Sequence, residues 1–324
     1  MKNIVEKFNG IKVLVVGDIM IDAYLFGKVD RISPEAPVPV VAVNKKENRL
    51  GGAANVALNL VSLGAKPILC SVIGDDQEGK EMLSLLNQNQ IGIEGIVLSS
   101  ERITTVKTRV ISQNHQMLRI DNEITHPLSE FDSNKLVLRV CELLKDTDVL
   151  VFEDYDKGVL DEKNILQIIK EATELNVPVA VDPKKRNFLS YKGATLFKPN
   201  LKELKEGTNH HFDIDDKVSF ETVVKKLMSE MKLDNLFVTM SEHGVMITDG
   251  RQFDYVPAHI RKIADVSGAG DTVISVAALC LALKLPNKLI AEISNLAGGL
   301  VCEEVGVVPI DKNLLQLEIS NLNL

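Results

Sequence analysis

One pattern constrains this chain more than any other: short runs of apolar, largely β-branched residues that end abruptly on polar ones. IKVLVVG at 11–17 leads into DIMID at 18–22, and VLVF at 149–152 leads into EDYDK at 153–157. VAV at 179–181 leads into Asp182 and Lys184, and NLFV at 235–238 into Thr239. Runs this short, with no polar alternation, fit strands buried on both faces, as in parallel sheets covered by helices. Stretches of helical periodicity at 78–90, 136–144 and 161–176 lie between them. The expected fold class is therefore α/β, a doubly wound, mostly parallel central sheet with helices on both faces. Such sheets hold ligands beyond the carboxyl ends of their strands, which is where these polar clusters fall.

Two blocks break the pattern. Prolines 34, 37 and 39 forbid a helix between 24 and 43, and VPVVAV at 38–43 suggests an edge strand. Residues 104–111 and 117–121 alternate like half-exposed strands. Together they predict a small β lid over about 23–44 and 96–121, appended to one domain spanning 1–324 with no linker composition inside it. A net charge of −8 gives no electrostatic reason for nucleic acid or an anionic membrane as partner. No apolar run reaches the ~18 residues of a membrane span, and the four cysteines are scattered without a C-x-x-C pair. A cytoplasmic protein with reduced thiols is the expectation.

The segment DVSGAGD at 265–271 precedes the apolar run at 272–283. Ser267, Gly268, Ala269 and Gly270 leave the backbone uncovered, so amide N–H groups can converge on an anion where a helix starts. Asp271 beside such a cradle repels what the cradle attracts, unless it has a chemical task; abstracting a proton from a hydroxyl that attacks phosphorus is such a task. The alternative is a glycine turn with Asp271 as a stabilising carboxylate at a helix start. A second loop, GGAAN at 51–55, runs into another apolar helix and then Gly64 and Gly74. The two loops together resemble the paired signatures of the ribokinase (PfkB) family of carbohydrate kinases, through Gly51, Gly52, Asn55, Gly64 and Gly74 and through Asp265, Gly268, Gly270 and Asp271. Val276 departs from the small residue usual there.

The resemblance implies an ATP-dependent sugar kinase of ribokinase-like fold. It gives Asp271 as base with the amides of Gly268, Ala269 and Gly270 as anion hole, and sets Asp22, Gly51, Gly52, Asn55 and Asp154 around the sugar. Lys184, at a strand end, is a candidate for neutralising the transferring phosphate, or else a surface lysine beside Lys185. The N-x-x-E of Asn200 and Glu203 resembles the motif that orders Mg2+ near the nucleotide; the same spacing also serves helix capping. Thr239, Ser241, Gly244, Asp265, Ser267, Asn295 and Gly306 are the expected ATP contacts, and a monovalent cation is left open. In the lid, RISPEAPVPV at 31–40, Lys107, Arg109, Arg119 and Asp121 resemble the branch of the family that phosphorylates D-glycero-β-D-manno-heptose 7-phosphate at C1 in ADP-heptose synthesis. Cations Arg31, Lys107, Arg109 and Arg119 suit a phosphosugar substrate. A kinase for another sugar or phosphosugar, or a non-catalytic homologue, stays open. The branch is often fused to a nucleotidyltransferase, here expected as a separate partner; a homodimer is left open.

Overall fold

In the computed structural model, which describes residues 3–113, 115–210, 212–259, 261 and 263–321, the apolar runs become one sheet. The first half of the chain holds β1 (Lys12–Gly17), β2 (Ile19–Ile32), β3 (Pro39–Gly52), α1 (Ala53–Ser62), β4 (Lys66–Gly74) and α2 (Gln77–Gln88). Then come β5 (Gly92–Ser99), β6 (Val106–Ser112), β7 (His115–Asn122), α3 (Glu130–Leu144) and β8 (Val149–Glu153). The second half holds α4 (Glu162–Glu174), β9 (Val179–Asp182), β10 (Leu196–Phe197), α5 (Leu201–Thr208), α6 (Lys217–Met231) and β11 (Asn235–Thr239). It closes with β12 (Val245–Thr248), β13 (Phe253–Val256), α7 (Ala269–Ala282), α8 (Asn287–Val301) and α9 (Lys312–Asn321).

The main sheet is nine-stranded, in the order β13-β12-β11-β10-β9-β8-β1-β4-β5, parallel except for β12, which runs antiparallel to both its neighbours. Alternation along each strand feeds two cores. Val13, Val15, Val149, Val151 and Ala180 pack under α1, α7 and α8, whereas Leu14, Val16, Leu150, Phe152 and Val181 face α3, α4 and α6. Helices start at polar caps: Asp76 accepts from Gly79 N at the head of α2, and Asp161 and Asn164 cap α4 reciprocally. Extended to the strand ends, the alternation sends Glu153, Asp182 and Lys198 to the face beneath α7.

The second sheet is four-stranded, ordered β3-β2-β6-β7, with β3 at its edge as the prolines require. Its bounds differ from those expected. Residues 96–99 belong to the main sheet, where Ile96 to Ser99 pair in parallel with Ser71 to Gly74, because the crossover through α2 returns the chain beside β4 with Gly95, Val97 and Ser99 buried. The lid consists instead of β2, β3, β6 and β7. Asn114 of the expected lid, and residues 1, 2, 211, 260, 262 and 322–324 of the expected domain, lie outside the described residues. Cross-strand register lines up two rows on one lid face: Arg49, Asp22, Lys107, Asp121, and next to it Glu47, Tyr24, Arg109, Arg119.

Candidate active site

The loop at 265–270 turns into α7 through Gly268, whose φ of +79° suits glycine, and no side chain caps the helix. Ala269 N donates to the Val266 carbonyl at 3.3 Å, a long bond that an anion can replace, and the amides of Gly268 and Gly270 flank it. Asp271, in the first turn, is buried, and each carboxylate oxygen takes one donor: Asn55 Nδ2 to Oδ2 at 2.6 Å and Tyr155 OH to Oδ1 at 2.8 Å. Asn55 belongs to α1, so this bond joins the two glycine loops; a β carbon at Gly268 would lie 3.2 Å from Asn55 Nδ2. Burial pushes the Asp271 carboxyl up to about 6, with Asp182 adding to the rise and the Asn55 and Tyr155 bonds and Lys198 opposing it. A carboxylate there is ionised near neutrality yet basic enough to take a hydroxyl proton.

Beneath Asp271 the strand ends build a row of charge. Lys198 Nζ lies 2.7 Å from Asp182 Oδ2, both nearly inaccessible, and Lys184 Nζ lies 2.6 Å from Glu203 Oε1 and 3.7 Å from Asp182 Oδ1. A β carbon at Gly270 would sit 3.8 Å from Asp182 Oδ2 and 3.9 Å from Lys198 Nζ, so the loop passes directly over this pair. Although burial works against its charge, Asp182, Glu203 and Glu153 hold Lys184 protonated; Asp182 and Glu203 do the same for buried Lys198. Glu153 is fully buried and, among the described residues, neither of its oxygens has a hydrogen-bond partner. Burial first, then Asp182 and Asp271, push its carboxyl well above the usual range, against Lys184 and Lys198.

Glu153, Lys198 and Tyr155 were missing from the sequence-based candidates. The signal available was parity: Glu153 continues the alternation of β8 onto the α7 face, whereas the candidate Asp154 does not. Asp154 turns to the opposite core, where it accepts from Tyr191 OH at 2.7 Å, Asn187 Nδ2 at 3.0 Å and Asp156 N at 2.8 Å. It is a satisfied structural carboxylate and is not brought to the site.

Asp22 is brought there. Its carboxylate lies against Gly51, where a β carbon would come within 2.5 Å of Oδ2, and it accepts from Arg109 Nη1 at 2.5 Å. Lys107 reaches Asp121 at 3.0 Å and Glu123 at 2.8 Å, and Arg119 Nε reaches Asp121 at 2.9 Å. Lys107, Arg109, Arg119 and Asp121 therefore share the face that carries Asp22, each cation already beside a carboxylate. Arg31 does not join them. It is exposed near the tip of the β2–β3 hairpin, separated from Asp22 by roughly 30 Å of strand.

On the other flank, Asn200 and Glu203 form a reciprocal cap on α5: Glu203 N donates to Asn200 Oδ1 and Asn200 N to Glu203 Oε2, both 2.9 Å. Asn200 bridges to Thr239 at the end of β11, ahead of the turn with Ser241 at φ +52° and Gly244 at φ +82°. Asp265 ties its loop together by accepting from Ser267 N at 2.9 Å and Gly306 N at 3.1 Å; the bond from Ser267 N leads in holding its carboxyl below the usual range. Asn295 on α8 donates to the Pro257 carbonyl at 2.9 Å. Among the described residues no three His, Cys, Asp or Glu side chains are grouped to hold a metal directly. Asn200 and Glu203 keep lone pairs beyond their cap bonds, and so fit the water shell of a hard cation rather than direct ligation.

Helix-start amides, a buried basic carboxylate and a β lid whose cations share a face with Asp22 are the parts of a phosphoryl transferase. The sequence profile of the pfkB family carbohydrate kinases matches residues 11–313. The chain belongs to this family. It is 40% identical over 304 residues to the bifunctional protein HldE of Paramagnetospirillum magneticum and 40% identical over 297 residues to that of Campylobacter curvus, covering 93% and 91% of this chain. It spans 62% of the length of each. Among solved structures, phosphofructokinase-2 of Escherichia coli in complex with potassium superposes with a TM-score of 0.80 at 19% identity, over 96% of this chain and 99% of that one. Ribokinase of Arabidopsis thaliana complexed with ribose and ATP gives 0.74 at 16%, over 95% and 99%. These carbohydrate kinases share its fold. No helix among the described residues is long and apolar enough to cross a membrane.

Proposed function

We propose that this chain transfers the γ-phosphoryl group of ATP to the C1 hydroxyl of D-glycero-β-D-manno-heptose 7-phosphate, a step of ADP-heptose synthesis. Asp271 takes the hydroxyl proton as the oxygen attacks phosphorus, and the amides at Gly268, Ala269 and Gly270 hold the charge that develops on the phosphoryl oxygens. Lys184, kept cationic by its carboxylate neighbours, faces the same charge. Asp22, Asn55 and the free oxygens of Glu153 accept from sugar hydroxyls. Mg2+, when bound, neutralises the nucleotide phosphates, with Asn200 and Glu203 orienting its waters. Thr239, Ser241, Gly244, Asp265, Ser267, Asn295 and Gly306 line the ATP side.

The observation that carries the choice of substrate is the lid face: Lys107, Arg109 and Arg119 lie in adjacent cross-strand positions beside Asp22, and in the proposed pose they meet the end of the sugar remote from Asp271. The identity to proteins named HldE supports the same choice. A free sugar is the second reading, favoured by the carboxylate each of these cations already holds. Mass-spectrometric assay of ATP-dependent product from heptose 7-phosphate and from free heptose separates the two. The proposal expects preference for the phosphate, eroded by about tenfold or more in Arg109→Met, as for loss of a hydrogen bond to a charged group. Equal use of both sugars by the wild type overturns it.

A further inference from the structure

We propose that Tyr155 is a positioning residue for the base: its phenol locks the Asp271 carboxylate so that a lone pair of Oδ1 stays aimed at the acceptor hydroxyl. The inference rests on the reading of Asp271 as base. Asn55 and Tyr155 grip the two carboxylate oxygens separately, at 2.6 and 2.8 Å, which removes rotation about the terminal torsion of Asp271. Each oxygen retains a second acceptor position.

The turn that delivers Tyr155 is held more firmly than a surface turn requires. Buried Asp18 accepts from Tyr155 N at 2.9 Å and Lys157 N at 3.1 Å through Oδ2, and from Val159 N at 3.0 Å through Oδ1. Arg102 donates to the carbonyls of Lys157, His126 and Ile124. Asp156 stands at φ +56°, and a β carbon at Gly158 would collide with the His126 carbonyl. Lys184 Nζ lies 5.5 Å from the centroid of the Tyr155 ring, so the same side chain sets the phosphate-facing cation and the base relative to one another. The charged groups facing Asp271 are Glu153, Asp182, Lys184 and Lys198. Asp182 is paired with Lys198, and Glu153 is without a hydrogen-bond partner among the described residues; against them and burial, the neutral donors Asn55 and Tyr155 lower the Asp271 carboxyl, and burial beside Asp271 and Glu153 keeps the phenol protonated as a donor.

The test is Tyr155→Phe in the full chain, assayed with ATP and heptose 7-phosphate across the acid range, with Asp271→Asn and Tyr155→Ala in parallel. The Phe variant keeps the ring against Lys184, so its melting temperature and both KM values are expected to match wild type. Its kcat falls about tenfold, the loss for one hydrogen bond to a charged group. The acid limb of kcat/KM moves to higher pH, because the ionised base has lost a donor, and the deficit narrows as pH rises. Tyr155→Ala also raises KM, which Phe rescues. A Phe variant whose acid limb overlies that of wild type, with Asp271→Asn inactive, overturns the role of Tyr155 alone. Near-normal turnover by Asp271→Asn overturns the base instead.

Discussion

Substituting Met for Lys198 keeps an unbranched stem under α7 and deletes the ammonium. The side chain is 3% exposed and its Asp182 partner 5%, with 2.7 Å between charged atoms. Removing one member of a buried pair leaves the other desolvated and uncompensated, at about 3–5 kcal/mol. Here Asp182 keeps Lys184 at 3.7 Å but adjoins Glu153 and Asp271, so the lower part of that range applies. Against a total stability of about 5–15 kcal/mol, chemical denaturation is expected to show the loss plainly. Removing Lys198 also takes away a group that lowers the Asp271 pKa, so the acid limb of kcat/KM moves up from about 6. Asp182→Asn in the same background removes the under-compensated charge and recovers most of the stability without the activity. A single variant as stable as wild type, or a double variant no more stable than the single, would refute this account of the charge row.

Wild-type kcat/KM is expected to fall as pH drops through about 6, because the Asp271 pKa is raised to that value and the protonated acid cannot accept a proton; a profile flat to pH values well below 6 would contradict it. Gly268→Ala places a methyl group 3.2 Å from Asn55 Nδ2 and 3.1 Å from Val307 and gives a left-handed backbone a side chain, so turnover is expected to drop at least tenfold through shifted Asn55 and weakened phosphate binding. Glu203→Gln is expected to raise the Mg2+ concentration for half-maximal rate without changing the sugar KM, and a superimposable Mg2+ titration would remove Glu203 from the site.

Much of this was legible because strands buried on both faces announce themselves as apolar runs, and the residues just past them are polar for a reason. Asp22, Lys184, Asn55 and Asp271 follow from that logic and from glycine where a backbone must come close. What escaped depended on direction rather than position. Asp154 and Glu153 are adjacent, and only the parity of β8, known once the helices are assigned to faces, tells which one looks toward α7. Lys198 stands between a two-residue strand, Leu196–Phe197, too short for any period to show, and a proline. Arg31 shares a lid sequence with Arg109, yet a long twisted hairpin carries it away, and sequence proximity within a lid says nothing about which end of a strand meets the substrate.

The central claim is that Asp271 is the base, and Asp271→Asn tests it most directly. The change is isosteric, and the amide can still meet Asn55 and Tyr155, so melting temperature and ATP affinity are expected to hold. Turnover of heptose 7-phosphate is expected to fall by about 10² to 10⁴, the contribution of a positioned general base. Turnover within a few-fold of wild type, from a variant that folds and binds ATP, would contradict the account.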